Sequence, residues 1–320
     1  MPRRAAAETD RLGAPYTVET IELEDDREGP VVATLVRRPA KRGAGNGRAV
    51  LYVHGFADYF FQTEWAEFWT NRGYTFYALD LRKYGRSLLP HQTANYVGDL
   101  REHFEELDAA WERITGRDGY AEVLLAAHST GGLIGSLWAN ERDLDLVAVV
   151  LNSPWLDLAG PWLLRTVGTP VVRQLAAMRP RQLIPRSVSG LYVESLHRDF
   201  AGEWDFDLGL KPVLSWPIFA GWLRAIRNGH HEVHRGLHLR APILVLSSDR
   251  TTWPTSLGED AHTTDIVLDV HQIRRWAPNL GPQVTLVAIP GARHDVILSR
   301  PEVRAAAYAA LERWLPYAGG

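Results

Sequence analysis

Val123-Leu124-Leu125-Ala126-Ala127-His128-Ser129-Thr130-Gly131-Gly132 is an apolar run that stops at a serine. Ala127, Gly131 and Gly132 surround that serine with small residues, and Leu133-Ile134-Gly135-Ser136-Leu137-Trp138-Ala139 restarts with helical spacing. The pattern reads as strand, tight turn and helix, with Ser129 at the turn. Such a turn holds its central residue in a strained conformation, and bulky neighbours two positions to either side would collide. It lifts the hydroxyl clear of the sheet edge. It also sets the next backbone N–H, that of Thr130, at a helix start, where an oxyanion is stabilised. Serine alone is a poor nucleophile at neutral pH, so a site built on it needs a base and a residue that orients the base. Small residues at these positions also suit plain strand-to-helix packing, so the flanking strand and helix carry the reading.

Outward from this turn, apolar runs alternate with helical segments. Residues 16–24 and 31–38 read as two strands joined by the acidic turn Asp25-Asp26-Arg27-Glu28-Gly29-Pro30. A short buried strand over 49–53 ends at His54-Gly55-Phe56, followed by a helix over 64–72, a strand over 75–81 and a helix over 99–115. After the serine turn, a strand over 144–151 ends at Asn152-Ser153-Pro154. This alternation predicts an α/β fold, a mostly parallel sheet with helices on both faces. The pattern then breaks. Residues 157–236 are helix-like but interrupted by prolines, and strand character resumes at 242–246. A helix over 267–276, a strand over 284–289 and a helix over 302–315 complete the chain. The expected organisation is a loose tail over 1–15, a core of 16–156 and 237–316, and a helical insertion over 157–236.

Composition narrows the function. With 320 residues, 46% of them hydrophobic, the chain buries a full core. A net charge of −3 gives no electrostatic reason to expect nucleic acid or an anionic membrane as partner. The absence of cysteine excludes disulfides, thiol catalysis and thiolate metal sites. No apolar run reaches the length of a membrane span, and the first ten residues lack the apolar stretch of a signal peptide. The expectation is a cytoplasmic protein acting on a small molecule, with its oligomeric state left open. Trp162, Trp204, Trp216, Phe219 and Trp222 gather in the inserted segment and suggest an apolar, aromatic wall for that molecule. His230, His234 and His238 repeat at four-residue spacing, but His231-Glu232-Val233-His234 falls one residue short of the zinc-protease pattern. No metal is expected there.

Ligands of open parallel sheets collect beyond the carboxyl ends of the strands. Strands here end at His54-Gly55-Phe56, at Ser129, at Ser247-Ser248-Asp249 and at Gly291-Ala292-Arg293-His294. The order serine, aspartate, histidine, together with the serine turn, resembles the α/β-hydrolase fold superfamily over about residues 16–316. His54-Gly55 looks like that family's oxyanion loop, which implies that the Phe56 N–H sits beside that of Thr130. Asp80-Leu81-Arg82-Lys83-Tyr84-Gly85-Arg86-Ser87 resembles its Asp-x-Arg-Gly-x-Gly-x-Ser segment, with Lys83 where the family has glycine. Gly291-Ala292-Arg293-His294 looks like its Gly-x-x-His, and the 157–236 segment sits where it carries a helical cap. The pattern is most similar to the monoacylglycerol lipase, lysophospholipase and serine-aminopeptidase-like branch.

The resemblance implies a serine hydrolase that cleaves a carboxylic ester through an acyl-enzyme, without a cofactor. Ser129 would be the nucleophile and His294 the base, a role that suits imidazole because it titrates near working pH as a class. Two residues compete for the orienting acid. Asp249 directly follows its strand, whereas Asp265 lies in Asp265-Ile266-Val267-Leu268-Asp269, similar to the family's Asp-x-x-x-Asp run into the next helix. The longer match favours Asp265. His54 is expected to hold its loop, His128 to pack against neighbouring strands, and Asp80 and Arg82 to form structural ion pairs. A lactonase, an aminopeptidase or a carbon–carbon bond hydrolase would use the same triad; an aminopeptidase also needs acidic groups for the substrate amine, and Glu194, Glu203, Asp205 and Asp207 are available. A non-catalytic small-molecule receptor is the rival from another class.

Overall fold

The computed structural model describes residues 8–41, 43, 45–159, 176–185 and 189–319. Nine strands in these residues form one sheet: β1 (Glu8–Thr9), β2 (Thr17–Asp26), β3 (Gly29–Arg38), β4 (Arg48–Val53), β5 (Thr75–Asp80), β6 (Glu122–His128), β7 (Ala148–Asn152), β8 (Ile243–Ser248) and β9 (Val284–Ile289). Their order is β1-β2-β3-β5-β4-β6-β7-β8-β9. The first strands pair antiparallel as far as the β3–β5 contact, and everything from β5 to β9 is parallel. Strand order reverses between β4 and β6, which is where such sheets open a crevice for a ligand.

Period-two alternation divides the core into two layers. Leu51, Leu125, Val149 and Val245 point to one face, where they meet Phe104 and Leu107 of helix α2 (Phe104–Glu112) and Leu133 and Leu137 of helix α3 (Ser129–Glu141). Val50, Leu124, Val150 and Leu244 point to the other. There they meet Trp65 and Trp69 of helix α1 (Thr63–Thr70), preceding α2 in the chain, and Leu311 and Trp314 of the C-terminal helix Pro301–Gly319. Burial on both faces explains why β4 to β8 read as nearly continuous apolar runs.

Three features depart from the sequence reading. Residues 8–15 are not a loose tail: β1 pairs with β2, and buried Asp10 accepts hydrogen bonds from Arg86 Nε at 2.8 Å and Nη2 at 3.0 Å. An acidic residue in a polar stretch gave no sign of that distant partner. Strand β7 begins at Ala148 rather than 144, because helix α3 runs to Glu141 and a turn intervenes. The segment expected as an insertion also ends inside the core. After a short helix α4 (Leu191–Leu196), helix α5 (Ala220–Arg235) buries Trp222, Ala225, Ile226 and Val233 in the same layer as α3. The chain then continues through α6 (Glu259–Thr263) and α7 (Val270–Trp276) to the C-terminal helix, α8.

Candidate active site

Ser129 is the first residue of α3 and has φ of +51°, a left-handed conformation that a serine adopts only when its surroundings impose it. The small neighbours explain how. A Cβ on Gly131 would lie 2.2 Å from the His54 carbonyl oxygen, and one on Gly132 would lie 2.8 Å from Pro154 Cβ. The turn is therefore wedged between the end of β4 and the loop after β7. On its other side a Cβ on Gly55 would meet Ser129 Cβ at 3.1 Å, so the 54–56 loop lies directly against the serine. Thr130 N–H lies in the first turn of α3, where helix geometry supplies no carbonyl partner.

The Ser129 hydroxyl lies 3.0 Å from His294 Nε2, and His294 Nδ1 lies 2.9 Å from Asp265 Oδ2. All three residues are buried. Because a carboxylate only accepts, the Nδ1 proton donates to Asp265 and Nε2 presents a lone pair to the hydroxyl. The other carboxylate oxygen, Oδ1, accepts from Val267 N–H at 2.8 Å and Leu268 N–H at 2.7 Å, which fixes the rotamer. Asp265 reaches this place because residues 250–264 leave β8, form α6 and return through a bridge between Thr251 and Asp265. Arg293 bonded to His262 and Arg300 paired with Glu259 tie the excursion down. Asp249 sits elsewhere. Its Oδ1 accepts from Gly291 N–H at 3.2 Å, steadying the turn that leads to His294.

The remaining polar residues of the motifs hold the frame. His54 Nε2 accepts from Leu81 N–H at 3.0 Å, leaving its Nδ1 proton for the Gly55 carbonyl at 2.8 Å. Burial pushes its imidazole below the usual range, in keeping with a neutral ring. His128 donates from Nδ1 to the Asn152 carbonyl at 2.9 Å, and its ring lies 4.8 Å from that of His294. Asp80 accepts from Phe60 N–H and from Arg86, and Arg82 pairs with Glu105 and Glu106. Lys83 has φ of +63°, and its buried ammonium pairs with Asp26 and Glu28 of the β2–β3 turn. The side chain that replaces glycine there anchors the turn.

One cavity of about 290 Å³ contains Ser129, His294, His128 and Phe56. Ala57, Asp58, Tyr192, Val193, Lys211 and Val213 also line it, and the sequence reading named none of these. The expected aromatic wall lies elsewhere. Trp162 is outside the described residues. Trp204 donates its indole N–H to the Leu298 carbonyl beneath Arg304. Trp216 and Phe219 line a separate groove with Leu88, Leu89 and Pro90. Trp222 is buried behind the cavity, 4.6 Å from the Phe56 ring. Aromatic content indicated burial but not which cavity the rings face; Phe56 and Tyr192 reach the site, Tyr192 edge-on to His294 at 5.7 Å. Two histidines of the repeat have structural partners. His230 and His234 bond the carbonyls of Trp155 and Leu156, stitching α5 to the loop after β7.

The serine aminopeptidase S33 family matches residues 46–300. The chain belongs to that family. It is a serine hydrolase of the α/β-hydrolase superfamily. In fold it is similar to a soluble variant of monoglyceride lipase from Saccharomyces cerevisiae bound to a substrate analogue, at 16% identity and a TM-score of 0.68, with 99% of this chain and 97% of that one covered. It is likewise similar to monoacylglycerol lipase from Paleococcus ferrophilus, at 19% identity and a TM-score of 0.64, covering 89% and 99%. A thermostable carboxyl esterase from Bacillus coagulans in complex with glycerol aligns at 14% identity and a TM-score of 0.65, covering 93% and 98%. No curated protein sequence matches this family member closely. Among the described residues, no helix is long and apolar enough to cross a membrane.

Proposed function

We propose that the protein hydrolyses a carboxylic ester through an acyl-enzyme on Ser129. The observation that carries this reading is the unbroken line of hydrogen bonds from Ser129 Oγ through His294 to Asp265 at the wall of one cavity. His294 Nε2 takes the hydroxyl proton as Oγ attacks the carbonyl. The Phe56 and Thr130 N–H groups stabilise the oxyanion, and the imidazolium, balanced by Asp265, returns the proton to the leaving alcohol. Water then repeats the sequence and frees the acid. The cytoplasmic setting expected from the sequence belongs to the same proposal.

Ester rather than peptide cleavage is favoured by where the acidic groups lie. Glu203 pairs with Arg304, Asp205 with Arg198 and Asp207 with Arg11; neither these nor Glu194 lines the cavity, and the carboxylate that does, Asp58, is already paired with Lys211. The solved lipases and esterases of similar fold point the same way. The test is a fluorophosphonate probe beside two substrate sets, short p-nitrophenyl esters and aminoacyl p-nitroanilides. Labelling that disappears in Ser129→Ala, with ester turnover well above anilide turnover, is the expected result. An enzyme that resists the probe and cleaves neither set would favour the receptor.

A further inference from the structure

Asp58 and Lys211 bring full charges into the candidate site, and the triad uses neither. Asp58 follows the 54–56 loop by two residues and is 1% exposed; Lys211, from the segment between β7 and β8, is 4% exposed. Lys211 Nζ lies 2.7 Å from Asp58 Oδ1. Both residues line the cavity that holds Ser129 and His294. Burial alone would raise the Asp58 carboxyl, but the Lys211 ammonium holds it below the usual carboxylate range. The ammonium is otherwise faced by rings, those of Phe61 and Tyr192 at 5.7 Å and of Phe206 at 6.0 Å. Among the described residues its hydrogen bond is to Asp58, which leaves two of its three N–H donors for another acceptor. Asp58 Oδ2 is buried and has no hydrogen-bond partner among the described residues.

A buried carboxylate oxygen without a partner is costly, and a buried ion pair rarely adds stability over apolar residues of similar volume. At the wall of a reaction cavity the pair has a second use. It presents one acceptor and two donors side by side with no net charge. An ammonium ligand would meet the lysine and a carboxylate ligand the aspartate, so a charged group gains little. A hydroxyl fits: its proton goes to Asp58 Oδ2, and its oxygen accepts from Lys211 Nζ.

We propose that Asp58 and Lys211 form a specificity subsite for an uncharged hydroxyl group on the ester substrate. This rests on the ester-hydrolase reading above. A site with buried polar groups discriminates against a ligand that leaves them unpaired far more sharply than an apolar pocket does.

The experiment compares kcat/KM for matched pairs in two arms, each normalised to the serine titrated by a fluorophosphonate. The acyl arm uses methyl 3-hydroxybutyrate against methyl butyrate. The alcohol arm uses 2-hydroxyethyl butyrate against propyl butyrate. In the wild-type enzyme one arm should favour the hydroxylated ester by at least about tenfold, and the responding arm tells which side of the ester the subsite reads. Lys211→Met and the double variant Asp58→Asn/Lys211→Met should bring that ratio near one. A wild-type ratio near one in both arms overturns the proposal, and so does a preference that survives both variants. The wild-type comparison decides alone if the variants do not fold. A wild-type enzyme that the fluorophosphonate does not label overturns the hydrolase reading and the subsite with it, whereas labelling without discrimination removes the subsite alone.

Discussion

At the scale of single residues the sharpest question is which aspartate orients His294, and the hydrogen-bond inventory of an amide gives the test. Asp265 Oδ1 takes two backbone N–H donors while Oδ2 takes the imidazole proton. In Asp265→Asn the single amide oxygen is drawn to those two donors, and the NH₂ group turns toward His294 Nδ1. That forces the proton onto Nε2, which then has no lone pair for the Ser129 hydroxyl. The expected outcome is a fall in kcat of about 10⁴ with folding intact, the size seen when a triad acid becomes its amide. Asp249→Asn keeps an oxygen for Gly291 N–H and should stay close to wild type. A comparison of the two kcat values decides, and a crippled Asp249→Asn beside an active Asp265→Asn would reverse the assignment. Ser129, His294 and Asp265, which meet through hydrogen bonds, were expected together from the sequence because two follow strands within recognisable local patterns and the third opens a run into a helix. Asp58 and Lys211 were not. Nothing near Leu210-Lys211-Pro212 signals a buried cation, because the burial is created by a partner 153 residues away.

Elements transmit constraints that no single motif residue states. The end of β4 and the start of α3 touch through Gly131, whose added Cβ would lie 2.2 Å and 2.7 Å from the carbonyl oxygens of His54 and Val53. Backbone cannot step aside as a flexible side chain does. Gly131→Ala should cost about 1–3 kcal/mol and move the loop that carries the Phe56 N–H. Urea unfolding should show a lowered midpoint and the fluorophosphonate reaction should slow; an unchanged midpoint would show that the loop yields freely. The β2–β3 turn is held differently. Burial tends to raise the Glu28 carboxyl, but hydrogen bonds from Lys83, Thr93 and Arg181 outweigh it and hold the group at about 2. A carboxyl depressed on folding contributes stability above its unfolded value near 4.5 and loses it as pH falls through about 2. Glu28→Gln should therefore cost on the order of 2 kcal/mol at pH 7, and the gap to wild type should narrow steadily between pH 5 and pH 2 on the same urea assay. A gap independent of pH would mean that the turn is held by shape and not by charge. The sequence showed an acidic turn and an unusual lysine separately; only the fold brings Lys83 to Asp26 and Glu28.

Across the whole molecule, the centre of the sheet could be read from the sequence because β4 to β8 are buried on both faces and announce themselves as apolar runs. The segment between β7 and β8 could not, because its described side chains divide among several destinations. Trp222 joins the core layer of α3, Trp216 and Phe219 line a groove beside Leu88 and Leu89, and Val193, Lys211 and Val213 reach the Ser129 cavity. Hydrophobicity alone does not distinguish these fates, because the drive to bury apolar surface is non-directional. The division carries a consequence for substrate choice. Val193 and Val213 bound a cavity of only about 290 Å³, so a larger side chain there shortens the space left for an acyl chain. Val213→Phe should shift the preferred p-nitrophenyl ester toward shorter acids, with kcat/KM for the octanoate falling at least about tenfold relative to the acetate. Trp216→Ala and Phe219→Ala remove rings that face another groove and should leave that ratio within about twofold of wild type, even where they lower the melting temperature. Measuring the octanoate-to-acetate ratio in all three variants separates the two surfaces: a ratio that moves with Trp216 or Phe219 and not with Val213 would mean that the acyl chain leaves the Ser129 cavity and lies in the outer groove.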